Sequence, residues 1–255
     1  MLDRGYSLVK LEMLNWGNFH GLQTLNLYEP SDSGFLFAPS PNSAILGING
    51  SGKSTIIDGL MMCLLPFERH LKLGVTNDVE NGSSGGRSVK DYVLGKYASV
   101  DGTEGSKTDS SYSRRDGCTI FLLSFQHNLK PQQKLTIGRI WWYQNYTVSD
   151  TSFGFVSYSQ FSIKDLCPKN EIPKSPKDFK EIAKKWSQNS IQVFDSANNY
   201  FISLSTALGN ISKDDLKILN RAFYVKSIAQ IDQFIRENML LEQEGNNLNT
   251  LMENV

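Results

Sequence analysis

One stretch of this 255-residue chain has residue types and a spacing suited to phosphate chemistry. It reads Gly47-Ile48-Asn49-Gly50-Ser51-Gly52-Lys53-Ser54, followed by Thr55, and fits the pattern G-x-x-x-x-G-K-[ST]. A triphosphate carries several negative charges, which a protein must surround with donors at close range. The glycines predict positive φ angles, so that backbone N–H groups approach the phosphate oxygens. The stretch therefore predicts a phosphate-binding loop.

The side chains of this loop have separate predicted roles. Lys53 is expected to reach the β and γ oxygens as a mobile positive charge. The Ser54 hydroxyl is expected to ligate Mg²⁺, a hard cation that prefers oxygen. The helix that follows would offer its N-terminal amides and the positive end of its dipole. The predicted binding residues are Gly47, Asn49, Gly50, Ser51, Gly52, Lys53, Ser54 and Thr55, with Ser54 as the metal ligand.

The flanking sequence predicts the elements that position the loop. Residues 43–46 are mostly apolar and predict a short buried strand that runs into the loop. After the loop, apolar residues recur at helical spacing up to Pro66, which ends the predicted helix. Strand, glycine-rich loop and amphipathic helix, in this order, are the context in which the motif binds phosphate.

Composition limits the class of protein and its compartment. Because 26 basic residues balance 26 acidic ones, net charge gives no argument for or against nucleic acid. Cys63, Cys118 and Cys167 are scattered, which indicates a reducing compartment and no disulfide framework. Residues 1–14 lack the apolar core of a signal peptide, and the apolar run 56–67 is too short to span a bilayer. We expect a soluble, cytoplasmic protein.

The rest of the chain predicts an antiparallel β-subdomain and several helices. Residues 9–13 alternate in polarity and, after a turn at 15–21, a strand returns at Leu25. Three apolar segments predict a β-meander, in which Trp141, Trp142 and Tyr143 are interpreted as sheet core. These segments are 118–125, 134–143 and 153–158. Residues 68–117 are polar and rich in Gly and Ser, which predicts a flexible insertion.

Two motifs together are similar to the N-terminal head segment of SMC-like ATPases. Asn15-Trp16-Gly17-Asn18-Phe19 precedes Asn49-Gly50-Ser51-Gly52-Lys53-Ser54-Thr55-Ile56-Ile57-Asp58, as in the branch that holds MukB, MksB and the Wadjet defence ATPase JetC. Residues 87–95 resemble the segment after the first helix in that branch. Residues 231–240 resemble the exit from the head into the long coiled coil, whereas the middle of the chain matches poorly.

The resemblance implies a fold, cofactors and partners. The fold is α/β, the N-terminal lobe of an ABC-type P-loop NTPase head over residues 1–227, with 228–255 beginning a coiled-coil arm. ATP and Mg²⁺ are the implied cofactors, and Arg87 is either a contact to ATP or DNA or an exposed arginine. The implied partners are the C-terminal lobe of the same head, a second head in a homodimer, kleisin and winged-helix subunits, double-stranded DNA and, in the Wadjet branch, a nuclease. No membrane partner is implied.

The acids that hydrolysis requires are not found in the sequence. Residues 191–195 fail as a Walker B strand because Gln192 interrupts the apolar run and Ser196 stands where a glutamate should follow. In the family, these acids come from the C-terminal lobe. We therefore predict that the isolated chain binds nucleotide weakly and hydrolyses almost none. The candidates for a Mg²⁺-sensing glutamine are Gln126 and the neighbourhood of Ser227 and Gln230.

Other interpretations stay open. Seven lysines against four acids between residues 164 and 185 are either phosphate contacts or, as we favour, the solvated face of a helix. His20 is interpreted as a surface residue of its turn. The activity implied by the resemblance is loop extrusion on DNA, in plasmid defence or chromosome condensation. The alternatives are a repair ATPase of the SbcC or RecF kind, or a non-hydrolysing module that uses nucleotide for interaction.

Overall fold

The chain is described here from a computed structural model, which covers residues 5–27, 44–71, 73–74, 87–97, 112–167, 173, 175–186 and 191–223. The strands of these described ranges are β1 (Tyr6–Leu14), β2 (Leu22–Asn26), β3 (Gly117–His127), β4 (Lys134–Gln144), β5 (Thr147–Ser157) and β6 (Ile191–Phe194). Their helices are α1 (Lys53–Leu64), α2 (Val89–Leu94), α3 (Ile163–Leu166), α4 (Pro176–Trp186), α5 (Ala197–Ala207) and α6 (Lys213–Phe223), and a single 3₁₀ turn covers Glu68–His70.

The six strands form one antiparallel sheet in the order β2-β1-β3-β4-β5-β6. Leu11 on β1 lies opposite Leu25 on β2 and Leu123 on β3, so β1 joins the hairpin to the meander, with one shift of register against β3 between Leu8 and Lys10. This confirms the predicted antiparallel β-subdomain. The strands β3, β4 and β5 each contain 11 residues. Strand β5 begins at Thr147, before the predicted apolar segment 153–158, because the first half of the strand is largely exposed and polar.

Each face of the sheet packs against its own helices. On one face, Leu11, Phe121 and Trp141 contact the buried sides of α1, α2, α5 and α6. On the other face, Ile120 and Trp142 pack against α3 and α4. Trp141 and Trp142 therefore point to opposite cores, as alternation along β4 requires. Both side chains are buried, which confirms that they belong to the sheet core.

The C-terminal end of α1 is fixed to the sheet through its carbonyl groups. The guanidinium of Arg139 on β4 donates to Met62 O at 3.3 Å, and the Tyr200 hydroxyl on α5 donates to Cys63 O at 3.0 Å. These donors satisfy carbonyls that a helix end leaves without partners. Burial lowers the pKa of Arg139, but the Met62 carbonyl, the Ser152 hydroxyl and the face of Trp141 at 4.8 Å stabilise its charge. The loop-bearing helix therefore has a fixed orientation on the sheet.

Two sequence predictions need correction. Residues 44–46 do not form a strand, and the Leu46 side chain is 89 % exposed. A strand requires a hydrogen-bonded neighbour, and the described residues place none beside this segment. Within 68–117, residues 87–97 and 112–117 are not a flexible insertion, because they contain α2 and several buried side chains. The arm predicted at 228–255, and the glutamine candidate near Ser227 and Gln230, lie outside the described residues.

The basic helix α4 matches the interpretation as a solvated face. Phe179 and Ala183 are buried, whereas Lys177, Lys180 and Lys184 are exposed. The neighbouring β6 is an edge strand, and Asp195 directly after it lies 3.5 Å from the Lys180 ammonium. Asp195 thus pairs with a surface lysine, which agrees with the exclusion of this segment as a Walker B strand.

Candidate nucleotide-binding site

The glycine-rich loop closes around the side chain of its own lysine. The Lys53 ammonium donates to Gly47 O at 2.7 Å and to Ile48 O at 2.8 Å. The Ser51 N–H donates to Ile48 O at 3.2 Å, which tightens the turn. The loop therefore curves around a positive charge that has further donor capacity, since an ammonium carries three N–H donors.

The glycines of the loop have two different roles. Gly50 and Gly52 adopt φ angles of 83° and 92°, as the motif predicted. Gly47 does not have a positive φ, which corrects the prediction for that residue. A Cβ at Gly47 would lie 2.6 Å from the Ser51 hydroxyl oxygen, so this glycine is needed for close approach rather than for its backbone conformation.

The first turn of α1 is available to an anion. Gly52 is the N-cap residue, no side chain caps the helix, and no acidic residue lies in its first turn. Uncapped amides and the positive end of a 12-residue helix favour a bound phosphate. The exposed Ser54 hydroxyl lies in the same turn. This chemistry fits triphosphate and Mg²⁺, which the loop amides, Lys53 and Ser54 would hold.

A cavity of about 430 Å³ opens in front of the loop. The loop and helix contribute Asn49, Gly50, Gly52, Lys53, Ser54 and Thr55, all of which are predicted binding residues. Other segments contribute Asn18, Gly74, Arg87 and Tyr92. The structure therefore brings Arg87 to the phosphate loop across more than 30 residues of sequence. Among these described lining residues, none is acidic.

The turn that follows β1 supports the loop from behind. The Trp16 indole N–H donates to Thr55 O at 2.7 Å, and a Cβ at Gly17 would collide with the Thr55 side chain. A Cβ at Gly52 would lie 2.5 Å from the Phe19 ring, so the ring lies directly on the loop. Trp16, Gly17 and Phe19 each make a close contact with the loop or with the first turn of α1, which explains these positions of the motif at 15–19.

A buried arginine joins this turn to α2. The Arg114 guanidinium donates to Gly17 O at 2.8 Å and Phe19 O at 2.7 Å, and to Tyr92 O and Val93 O at 3.2 Å each. Burial lowers the pKa of Arg114, and the carbonyl dipoles compensate for the lost hydration. The planar fork of an arginine suits this set of acceptors better than an ammonium does.

Behind the cavity, a buried carboxyl group meets a tyrosine. The Tyr92 hydroxyl donates to Oδ2 of Asp58, a residue of α1 with no exposed surface. Burial raises the pKa of the Asp58 carboxyl to about 6, although hydrogen bonds from Tyr92 and the Gly74 backbone, and the charge of Arg87, act against this shift. The Arg87 guanidinium lies 5.7 Å from the centre of the Tyr92 ring. Asp58, Tyr92 and Arg87 thus form one connected group, which we call the Arg87 support.

Other candidates from the sequence do not reach the site. The Gln126 side chain binds the Lys134 ammonium at the far end of β3. It is seven residues from Thr119, which contacts the turn at Asn15, and this separation is about 23 Å along a strand. His20 is exposed, as interpreted. Gln126 is therefore too far from the loop to sense Mg²⁺ there.

Sequence reasoning missed several residues that shape the site. Ser88 and Asp91 form a reciprocal capping box at the start of α2, a pattern that is visible in the sequence as S-x-x-D. That signal would have predicted the helix that carries Tyr92. Arg114 has no comparable local signal, since its acceptors lie about 20 and about 95 residues away along the chain.

The loop, α1 and the cavity fit a P-loop NTPase-like fold of the α/β class. A family model described as the P-loop containing region of AAA domain matches residues 8–72, about a quarter of the chain. This match supports a P-loop ATPase-like domain with a capacity for nucleotide binding. It also includes the turn after β1 together with the loop, the two regions that the structure joins. No curated protein matches the chain.

Two further properties concern the described residues. No helix among them is long and apolar enough to cross a bilayer. The same residues contain no group of three or more His, Cys, Asp or Glu side chains arranged to hold a metal ion. A Mg²⁺ ion at Ser54 would therefore take most of its oxygen ligands from the phosphates and water.

Proposed function

We propose that this chain is the ATP-binding half of an SMC-like DNA motor head, which needs a second lobe to hydrolyse ATP. The observation that carries the proposal is the composition of the cavity. Its described lining residues offer cations, amides and hydroxyls, but no carboxylate. Such a surface suits triphosphate binding. Hydrolysis also requires an acid that holds Mg²⁺ through water and a residue that orients the attacking water.

The segment in front of the loop supports the need for a second lobe. The side chains of Leu46 and Ile48 are 89 % and 83 % exposed, although they flank the predicted nucleotide site. Apolar residues beside such a loop are expected to pack in a sheet. A C-terminal lobe of the same head would supply neighbouring strands and cover these side chains, as the resemblance to SMC-like ATPases implies.

The mechanism that follows from this proposal is conditional engagement. ATP would bridge two heads, because each site is completed by residues of the other head. Hydrolysis would remove the bridge and separate the heads. A coiled-coil arm would convert this cycle into movement along double-stranded DNA, with kleisin and winged-helix subunits as partners. Loop extrusion would then serve plasmid defence, with a nuclease, or chromosome condensation.

The proposal is tested by nucleotide binding and turnover. We expect the chain to bind a fluorescent ATP analogue with Mg²⁺, and Lys53→Ala to abolish this binding, because its ammonium is the loop's mobile cation. Lys130→Ala, in the exposed turn between β3 and β4, is the matched control and should bind normally. We expect almost no phosphate release from the chain alone, and release after a C-terminal lobe is added.

The outcomes separate the functional classes. Turnover by the chain alone, at the rate of a complete head, would contradict the proposal. If Lys53→Ala associates with the C-terminal lobe as wild type does, in the presence and absence of ATP, a nucleotide-binding interaction module becomes the better description.

A further inference from the structure

Asp58 is close to the predicted metal ligand but is directed away from the solvent. It lies four residues after Ser54, so the two side chains share one face of α1 at successive turns. The Asp58 side chain is fully buried and accepts a hydrogen bond from the Tyr92 hydroxyl. The backbone N–H of Gly74 is a second donor. Asp58 therefore holds Tyr92 and the backbone at Gly74 in place, and it does not line the cavity.

Tyr92 is fixed on both sides of its ring. One face stacks on Trp16, with ring centres 5.0 Å apart and an angle of 8° between the planes. The Arg87 guanidinium lies 5.7 Å from its centre, a distance at which a cation is attracted to an aromatic ring. The hydroxyl is held by Asp58. The ring thus has little freedom, and it is a rigid support for the arginine.

Arg87 itself is exposed and lines the cavity. A Cβ at Gly74 would lie 3.0 Å from Cγ and Cδ of Arg87, so the stem of this side chain packs directly on the Gly74 backbone. Its position is set by Gly74 and Tyr92 together. Lys53 enters the same cavity from the loop, whereas Arg87 enters it from a separate segment.

The two cations differ in what they can recognise. Lys53 and the first amides of α1 are placed for the phosphates that lie in the loop. A guanidinium binds phosphate oxygens through two parallel N–H donors, provided that its plane is held in a suitable orientation. Because Arg87 enters the cavity from outside the loop, we expect its guanidinium to reach the phosphate that lies farthest from the loop.

We infer that Tyr92 and Asp58 are positioning residues that hold Arg87 toward the terminal phosphate, and that the Arg87 support sets a preference for nucleoside triphosphate over diphosphate. This inference rests on the proposed nucleotide-binding function. It assigns the recognition of the terminal phosphate to α2 and its preceding residues, and it gives a role to the buried carboxyl group of α1.

The test compares the dissociation constants of fluorescent ATP and ADP analogues with Mg²⁺. In Tyr92→Phe, which removes only the hydroxyl, we expect the preference for ATP to fall about tenfold, because a charge-assisted hydrogen bond is lost from the support. The matched control is Tyr112→Phe. The Tyr112 hydroxyl donates to Asp91 Oδ1 at 3.2 Å, and the Lys90 ammonium lies 5.3 Å from its ring centre, outside the cavity. This control should keep the wild-type preference.

A double-mutant cycle shows whether Tyr92 acts through Arg87. Arg87→Gln should remove the preference for ATP, and Tyr92→Phe should then have no further effect on it. An equal effect of Tyr92→Phe in both backgrounds would overturn the inference, as would an unchanged preference in the single variant. If Tyr92→Phe does not fold, Asp58→Asn takes its place in the cycle, with the same expectation.

The wild-type measurement separates this inference from the proposed function. Equal affinity for the two analogues overturns the inference and leaves nucleotide binding intact. No binding of either analogue overturns the proposed function, and the inference with it.

Discussion

At the scale of single residues, Asp58 is a carboxyl group placed where water does not reach it. Burial disfavours its charged form, and the few donors around it compensate only in part, so its pKa is raised to about 6. Its unfolded-state value is that of an ordinary aspartate, near 4. An ionised Asp58 therefore reduces the stability of the fold at neutral pH, next to the predicted phosphate loop.

The pH dependence follows from the direction of this shift. Because the folded-state pKa of an acid is raised, the folded state binds more protons than the unfolded state between about pH 4 and pH 6. The stability contributed by protonated Asp58 is complete below this window and is lost as pH rises through about 6. Two pKa units correspond to about 3 kcal/mol.

Asp58→Asn removes this titration. We expect the free energy of unfolding of the variant, relative to wild type, to rise by about 3 kcal/mol between pH 4 and pH 7. Urea unfolding at several pH values measures it. Asp150→Asn, at an exposed position on β5, is the control for an unspecific change of charge. A relative stability that stays constant across the window would show that Asp58 is ionised without penalty.

At the scale of elements, the site depends on how the turn after β1, α1 and α2 are joined. The loop motif and the turn motif were both predictable, because each has a local pattern of glycine, lysine and aromatic residues. The contact between them was not, since Trp16 and Thr55 are 39 residues apart. The helix α2 lies between stretches of loop composition, and its local indications are the Ser88 capping signal and Gly95 at its C-terminal end.

Arg114 illustrates why the remaining parts were not predictable. Its residue type suggests a surface position, and its neighbour Arg115 is in fact exposed. Only the tertiary fold supplies the four carbonyl acceptors that make burial of Arg114 acceptable. Leu46 illustrates the opposite error. Its apolar neighbourhood suggests a buried strand, but strand formation depends on neighbours that the described residues do not provide.

The hydrogen bonds of Arg114 form a clamp between the turn and α2, which gives a prediction with a control at the adjacent position. Arg114→Lys keeps the charge but loses the fork, so two or more of the four carbonyls lose their donor; we expect a loss of about 2 to 4 kcal/mol in unfolding free energy. Arg115→Lys should stay within about 0.5 kcal/mol. Chemical unfolding measures both variants, and equal stabilities would refute the clamp.

At the scale of the whole molecule, the described residues form one antiparallel sheet with helices on both faces and two filled cores. The hairpin and the meander were predictable from alternating and apolar segments, whereas the pairing of β6 and the packing of helices on both faces were not. The predicted phosphate loop leads into α1, which packs on the central strands β3 and β4, and the side chains of Leu46 and Ile48 in front of α1 are exposed. The described residues are therefore well packed around the sheet, whereas the segment that leads into the loop is exposed.

Because the side chains of Leu46 and Ile48 are exposed, we expect them to contribute to association with a second lobe and not to the folding of the chain alone. Leu46→Ser with Ile48→Ser should change the stability of the chain alone by less than about 0.5 kcal/mol, because both side chains are already in water. Leu65→Ala, at a fully buried position, should cost about 2 to 5 kcal/mol. In sedimentation experiments with a C-terminal lobe, the double serine variant should fail to associate. Association as tight as that of wild type would place the contact elsewhere.

The stacked pair of Trp16 and Tyr92 has one more consequence. The indole is fully buried, its N–H is bound to the first turn of α1, and its face lies on the ring that supports Arg87. Any shift of the glycine-rich loop or of α2 must alter the electronic surroundings of this chromophore. Trp16 is thus a natural optical probe at the junction of the loop and α2. Because the chain contains three other tryptophans, its signal is the difference between the emission of wild type and that of Trp16→Phe.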